Sequence, residues 1–187
     1  MEDYPKLVTK HCTEKILYQM NNYFYKINDK ESKIDICFFC YIKIKDKNIP
    51  VMITSYNVIN ERYLSNKDKI NITINNVNYN IEFGHTKYLN EELNISIIEI
   101  KNDITNKKNF LELDYETFEN EPEINYYKES IYIIQNNNSD ISVSYGIIND
   151  INESDINFSC NINSNIFISP ILNLSNNKLV GLIKNNN

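Results

Sequence analysis

The chain of 187 residues lacks tryptophan and alanine, and it contains a single arginine, two histidines and three glycines. Its lysines are scattered and Arg62 is the only arginine, so we expect no clustered basic face and no nucleic-acid partner. No apolar run approaches the roughly 20 residues that a membrane-spanning helix requires. With two histidines and no second cysteine pair near Cys37 and Cys40, we expect no metal and no cofactor.

We also expect no secretion, because residues 1–6 are charged and no apolar core follows them. We therefore expect a cytoplasmic location, where Cys12, Cys37, Cys40 and Cys160 stay reduced. Positions three apart on a strand face opposite sides, so Cys37 and Cys40 are predicted to be buried thiols and not part of a zinc or redox site.

Asparagine and isoleucine dominate what is present, a bias typical of an AT-rich genome. The formal net charge is −6, from 19 basic and 25 acidic side chains. Tyrosine and phenylalanine are frequent, at 14 and 8 residues, and we expect them to supply the core.

One helix is predicted near the N-terminus, at residues 13–20. Thr13 is a suitable N-cap, and Ile16, Leu17 and Met20 are spaced to share one apolar face. The remainder reads as strands and turns, because β-branched and aromatic residues alternate with polar ones over short runs. Predicted strands cover residues 37–45, 50–56, 95–100, 131–135, 141–148, 156–160, 170–174 and 179–184.

The clearest unit is a hairpin whose two-residue turn is Asn75-Asn76. With this turn, Ile74 faces Val77 and Ile72 faces Tyr79, and all apolar residues of the two strands fall on one side. Residues 101–128 are polar and acidic and are predicted to connect two halves of the chain, with residues 110–113 as a docked piece.

Several segments in a fixed order resemble the trypsin-like serine proteases. Cys37-Phe-Phe-Cys-Tyr-Ile and Pro50-Val-Met-Ile-Thr-Ser-Tyr-Asn-Val-Ile resemble the family's G-T-G-F-F-C and V-L-I-T-N-x-H-V-L segments. Asn94-Ile-Ser-Ile-Ile-Glu-Ile resembles D-x-T-I-I-E-I. Ser142-Val-Ser-Tyr-Gly-Ile-Ile, Cys160 and Asn165-Ile-Phe-Ile-Ser-Pro-Ile-Leu-Asn-Leu resemble the region around G-x-S-G-S-P-I-L.

The resemblance implies an all-β fold of two antiparallel six-stranded β-barrels with the site in the cleft between them. We expect an N-terminal segment with a short helix at residues 1–21, a first barrel at 22–112, and a linker with the second barrel at 113–187. The family continues after its last matched strand with another strand and a helix, which we expect to be truncated here.

Carried over position by position, the resemblance places the general base at Asn57, the orienting acid at Asn94 and the nucleophile at Phe167. In the active family these are histidine, aspartate and serine. The loop that forms the oxyanion hole is altered as well, with Asn165 and Ile166 before the nucleophile position and Ile168 after it.

Two hypotheses follow for these positions. Asn57 and Asn94 are expected to hydrogen-bond to each other, and Phe167 is expected to fill the volume of a missing imidazole and water. Another nucleophile would need a base, but the resemblance places neither His11 nor His85 beside Cys160. For Ser164 and Ser169, which flank the site, no base is identifiable.

The favoured interpretation is therefore a catalytically inactive homologue whose cleft can still bind an extended peptide or protein segment. One alternative is an active serine-type endopeptidase, as family membership alone implies. Another is a purely structural domain or a degenerating gene copy. The sequence does not indicate the oligomeric state.

Overall fold

The computed structural model describes residues 4–27, 35–74, 77–101, 109–115, 126–137, 140–152, 155–162 and 168–184. The chain divides into two compact units, one made mainly of Asn21–Leu111 and the other of Met1–Met20 with Glu112–Ile183. The protein is mostly β, as predicted. The two helices within these residues are too short and too polar to span a lipid bilayer.

The first unit is a closed barrel of six antiparallel strands in the order β1-β2-β3-β6-β5-β4. The strands are β1 (Phe24–Ile27), β2 (Asp35–Ile44), β3 (Lys47–Thr54), β4 (Lys69–Ile74), β5 (Val77–Asn90) and β6 (Ile95–Ile100). The predicted strand at 95–100 is confirmed at both ends. Every strand of a closed barrel has two neighbours, so no edge is left open in this unit.

The predicted hairpin is confirmed in its register, since Ile74 pairs with Val77 and Ile72 with Tyr79. Ile72 and Ile81, on the same side of the hairpin, are fully buried in the barrel core. The apolar residues of the two strands share one side, as predicted, and Val77 is 52% exposed because it is the first residue of β5.

The turn between β2 and β3 is shorter than predicted. Lys45 and Asp46 both have positive φ, at 45° and 61°, and Ile44 pairs directly with Lys47. Positive φ at both central residues is the geometry of a two-residue turn that matches the twist of the strands. Lys47 and Asn48, predicted to lie in the turn, therefore belong to β3.

A bulge in β5 is held by a carboxylate on the neighbouring strand β6. The strand register shifts between Phe83 and Lys87, and Oε2 of Glu99 accepts hydrogen bonds from the N–H groups of Thr86 at 2.7 Å and His85 at 3.1 Å. These hydrogen bonds lower the pKa of Glu99, and the bond from Thr86 has the largest effect. Gly84 makes room, since a Cβ there would lie 2.4 Å from Cγ of Glu99.

The second unit is an open sheet in the order β11-β10-β7-β8-β9. Its strands are β7 (Ser130–Asn137), β8 (Asp140–Ile151), β9 (Ile156–Cys160), β10 (Ile168–Asn173) and β11 (Leu179–Lys184). The sheet is a half-barrel, consistent with the predicted trypsin-like double barrel. The predicted count of six strands is not reached in the described residues, where five strands form and the sheet does not close.

The N-terminal helix α1 (Lys10–Asn22) is longer than predicted, and its cap lies one turn earlier. Thr9, not Thr13, caps it, because Oγ1 of Thr9 accepts from the N–H of Cys12 at 3.2 Å. Ile16 is buried as expected, whereas Leu17 is 50% exposed.

A polar residue takes the place of Leu17 on the buried side of α1. The hydroxyl of Tyr132 donates to the amide oxygen of Gln19, and Nε2 of Gln19 donates to the carbonyl of Asn177 at 3.2 Å. These hydrogen bonds satisfy the buried amide and fix the rotation of the helix on the second unit.

Two structural elements escaped the sequence analysis. Strand β1 was not predicted, and neither was a second helix, α2 (Glu61–Asn66). Asn60 caps α2, because its side chain accepts from the N–H of Tyr63 at 3.0 Å. A capping asparagine followed by Glu61 was a usable signal for a helix start.

The predicted docked piece in the connection is confirmed. In the first unit, the ring of Phe110 stacks on Tyr41 at 4.3 Å between centroids, and Leu111 donates its N–H to the carbonyl of Phe39 at 2.8 Å. In the second unit, Leu113 bridges to Leu179. Residues 102–108 and 116–125 of the predicted connection lie outside the described residues.

Glu99→Gln should destabilise the chain at pH 7, and the difference from the wild type should shrink as the pH falls. The folded state lowers the pKa of Glu99, so its contribution is fully present above the unfolded value of about 4.3 and is lost as the pH falls through the lowered folded value. Urea unfolding at several pH values measures this.

Glu82→Gln is the matched control, because Glu82 pairs with Lys101 at 2.9 Å where both side chains are more than half exposed. An exposed ion pair contributes about 0–1 kcal/mol, so a smaller effect is expected. A Glu99→Gln difference that stays constant over the whole pH range would contradict the bulge-holding role.

Candidate functional site

Two of the positions that the resemblance singles out lie in the first unit, where β3 ends and β6 begins. These strands are neighbours, and Thr54 at the end of β3 pairs with Ser96 near the start of β6. The loop after β3 therefore meets the turn before β6. This brings together Asn57 and Asn94, two of the three positions singled out by the resemblance.

The side chain of Asn94 is the centre of this arrangement. Its Oδ1 accepts from Oγ of Ser55 at 2.9 Å and from the N–H of Asn57 at 3.1 Å. A backbone N–H can only donate, so the amide oxygen must point to the loop. The backbone takes part as well, because the carbonyl of Asn94 accepts from the N–H of Tyr56 at 3.2 Å.

The conformation of Asn94 explains why an asparagine suits this position. Its φ is +49°, in the left-handed region that most residues avoid and asparagine tolerates. The turn closes through a hydrogen bond from the N–H of Asn94 to the carbonyl of Glu91 at 3.0 Å. Asparagine thus supplies both the backbone conformation and the acceptor.

Asn57 contributes its backbone and not its side chain. Its N–H is shared between Oδ1 of Asn94 and Oγ of Ser55, at 3.1 and 3.2 Å. The side chain is exposed and forms no hydrogen bond to another described residue. The expected bond between the two side chains is therefore replaced by one from the main chain of Asn57 to the side chain of Asn94.

Ser55 was missed by the sequence analysis, although it supports the whole loop. It is fully buried, and its carbonyl accepts from the N–H groups of Val58 at 3.1 Å and Ile59 at 3.2 Å. Ser96 completes the support, since its buried Oγ donates to the carbonyl of Ile59 at 2.5 Å. The sequence signal that could have identified Ser55 is a polar residue after the apolar run of β3.

No family model matches the sequence, and no curated protein matches it. Solved structures do match. Deg5 superposes with a TM-score of 0.58 at 13% identity, over 92% of this chain and 84% of that chain. The serine protease of a human pathogenic astrovirus gives a TM-score of 0.56 at 11% identity, over 100% of this chain and 90% of that chain.

This chain has the fold of the trypsin-like serine proteases. At identities this low the likeness shows the fold alone. The roles of individual residues must be argued from their own contacts.

The nucleophile side of the trypsin-like arrangement is only partly described. Asn165, Ile166 and Phe167 lie outside the described residues, as does Ser164, so the predictions for them stay predictions. Ile168 is the first residue of β10, and its φ is not positive. Ser169 follows it and is 1% exposed.

Two titratable side chains beside the loop, those of Tyr56 and Glu61, bind each other. The hydroxyl of Tyr56 donates to Oε2 of Glu61 at 2.6 Å, which raises the pKa of Tyr56 to about 12 and lowers that of Glu61. Burial raises the pKa of Cys40 to about 12.

The remaining candidates from the sequence lie on other helices and strands. His11 is exposed on α1 and His85 is exposed in the bulge of β5, and neither side chain hydrogen-bonds to another described residue. Burial raises the pKa of the Cys160 thiol at the end of β9. Cys37 and Cys40 are confirmed as buried thiols. Among the described residues, no group of three His, Cys, Asp or Glu side chains can hold a metal ion.

Substitutions at Asn57 and Asn94 should lower the free energy of unfolding by very different amounts. Asn94→Ala should cost about 2–4 kcal/mol of unfolding free energy, because it removes the acceptor of two hydrogen bonds and strains the positive φ. Asn57→Ala should stay within about 0.5 kcal/mol, since only the backbone of Asn57 is used. Urea unfolding measures both.

Two further variants at position 94 separate the causes. Asn94→Gly relieves the backbone strain but still lacks the side-chain acceptor. Its free energy of unfolding should therefore lie between that of Asn94→Ala and that of the wild type. Asn94→Asp keeps the acceptor and should retain most of the stability at pH 7. Equal costs for Asn57→Ala and Asn94→Ala would refute this division of roles.

Proposed function

We propose that this protein is a trypsin-like homologue that does not hydrolyse peptides and that binds an extended peptide or protein segment. The observation that carries the proposal is the neutral network at Ser55, Asn57 and Asn94. It occupies the loop and turn in which the resemblance places the general base and the orienting acid.

The chemistry of acyl transfer explains why this network supports inactivity. The general base must take the proton of the nucleophile, and a carboxylate must stabilise the imidazolium that forms. A carboxamide does neither near neutral pH, and the third position is a phenylalanine, Phe167, which offers no nucleophile. Loss of the triad as a unit lowers kcat by about 10⁶ in a measured case.

The contacts of Asn94 add a second argument. Its amide oxygen is already used twice by the loop that it holds, through Ser55 and the N–H of Asn57. The interaction is one that keeps a loop folded, and it needs no charge. A binding protein with a protease fold needs this loop to stay folded, but it does not need the charged residues of the catalytic triad.

Binding of an extended segment follows from the fold class. β-proteins bind peptides by adding a strand to a sheet edge, where main-chain hydrogen bonds give affinity and side-chain pockets give specificity. None of these interactions needs a catalytic residue. The loss of the triad therefore leaves this mode of binding open.

The rival proposal is an active serine-type endopeptidase, which the fold it shares with the astrovirus serine protease favours. It requires a nucleophile and a base that the resemblance does not supply. A fluorophosphonate probe, which reacts with activated serine hydroxyls, separates the two. We expect no labelling of the native chain above that of the heat-denatured chain.

Purified trypsin in the same tube is the positive control, and a quenched casein substrate reports turnover independently. Ser55→Ala, Ser169→Ala and Cys160→Ala form the matched set of variants. Labelling or turnover that one of these single substitutions abolishes would overturn the proposed inactivity and favour the endopeptidase.

A further inference from the structure

Polar contacts hold both ends of the N-terminal segment on the second unit. Residues 4–20 belong to that unit, and we call them the strap. At its start, Lys6 donates its N–H to Oγ of Ser130 at 2.7 Å, and its ammonium group lies 3.0 Å from the carboxylate of Glu129. Near its end, the buried amide of Gln19 accepts from the hydroxyl of Tyr132. The strap therefore meets β7 at two points.

Both ends of the strap are linked to the same connection, residues 174–178 between β10 and β11. At one end, Nε2 of Gln19 donates to the carbonyl of Asn177 at 3.2 Å. At the other end, Oε2 of Glu129, which binds Lys6, accepts from the hydroxyl of Ser175 at 3.2 Å. Because the two ends share this support, we expect them to leave the sheet together.

The strap buries little apolar surface for its length. Of residues 4–20, only Ile16 and Gln19 are buried. Four large apolar side chains are exposed instead, those of Tyr4, Leu7, Leu17 and Tyr18. Burial of apolar side chains is the main stabilising contribution when two elements pack, and within the strap only Ile16 obtains it in full. Segments with few buried apolar contacts open locally at free energies well below that of global unfolding.

The sheet beneath the strap has a core of its own on the opposite side. Successive residues of a strand point to opposite sides, so Ile131 and Ile133 face away from the strap that Ser130 and Tyr132 contact. Ile131 and Ile133 are fully buried in a cluster with residues of β8, β10 and β11. Strand β7 is also paired with both β8 and β10. The sheet can therefore stay folded when the strap leaves it.

The C-terminal end of α1 is fastened separately. The boundary between the two units falls between Met20 and Asn21, so the last two residues of α1 belong to the first unit. There the carbonyl of Asn22 accepts from the hydroxyl of Tyr25 at 2.6 Å and from Nδ2 of Asn109 at 3.4 Å. These bonds lie within the first unit, so they persist when the strap leaves the second.

We propose that the strap undocks from the second unit as one piece, turning about residues 21–22, while both sheets stay folded. Undocking breaks the hydrogen bonds of Lys6 and Gln19 and brings the fully buried side chain of Tyr132 into contact with water. The strap thus acts as a lid over this part of β7. This inference is independent of the proposed function.

The test is hydrogen exchange of individual backbone amides by NMR on the full chain. An isolated helix of 13 residues is marginal in water, so α1 loses its hydrogen bonds once it undocks. In the native chain, the amides of Ile16 and Gln19 should exchange at least about 100-fold faster than those of Ile131 and Ile133, after correction for intrinsic rates. Low concentrations of urea should accelerate the β7 amides more steeply, because global unfolding exposes more surface than undocking.

Gln19→Ala and Ser130→Ala test whether the strap opens as one piece. Each substitution removes hydrogen bonds at one end of the strap, and each should accelerate exchange at Ile16 about fivefold or more. Alanine is a better helix former than glutamine, so the faster exchange would report lost docking and not a weaker helix. The matched controls are Lys15→Ala, at an exposed position of α1, and Ser159→Ala, at an exposed position of β9. Neither control should accelerate exchange at Ile16.

Ile171→Val tests whether the sheet stays folded during the opening. Ile171 on β10 is buried in the core on the side of the sheet away from the strap. The substitution should accelerate exchange at Ile131 and Ile133 about fivefold, as expected for the loss of a buried methylene group. It should change exchange at Ile16 by less than about twofold, because the undocked state keeps this core.

Three outcomes would overturn the proposal. Equal exchange rates in α1 and β7 of the native chain would mean that the strap leaves only on global unfolding. Equal acceleration of Ile16 and Ile133 by Ile171→Val would mean the same. Acceleration of Ile16 by Gln19→Ala but not by Ser130→Ala would mean that the end of α1 frays alone.

Lys6→Ala takes the place of Ser130→Ala if that variant does not fold, because it loosens the same end of the strap. Fluorophosphonate labelling does not depend on any of these exchange rates. Failure of this inference therefore leaves the proposed inactivity standing.

Discussion

The structure of the candidate site depends on one neutral hydrogen-bond acceptor, the amide oxygen of Asn94. It joins the turn before β6 to the loop after β3 through Ser55 and the N–H of Asn57. A carboxylate could accept the same two bonds, so an aspartate at this position would hold the loop equally well. The geometry of this loop therefore needs no charge at position 94.

Much of the fold was predictable because alternation of apolar and polar residues is a local signal. The hairpin around residues 75–76 and strand β6 were placed in the correct register and bounds from that pattern alone. The buried side of α1 was not predictable, since Gln19 replaces Leu17 there through partners far away in sequence, Tyr132 and Asn177. Long-range polar contacts leave no period in the sequence.

The candidate site was predictable in position and less so in its contacts. The order of the matched segments located Asn57 and Asn94, and the neighbouring strands β3 and β6 bring them together. Which atoms would meet could not be foreseen, because the positive φ of Asn94 and the burial of Ser55 are set by the turn and the core.

The central claim is that no group at this site gains or loses a proton near neutral pH. The most direct measurement is an NMR titration of the backbone amide signals of Ser55, Asn57 and Asn94. The account predicts that these signals keep their chemical shifts between about pH 5 and about pH 9, the range in which an unperturbed histidine titrates. A cooperative shift of the three signals with a midpoint inside that range would contradict it.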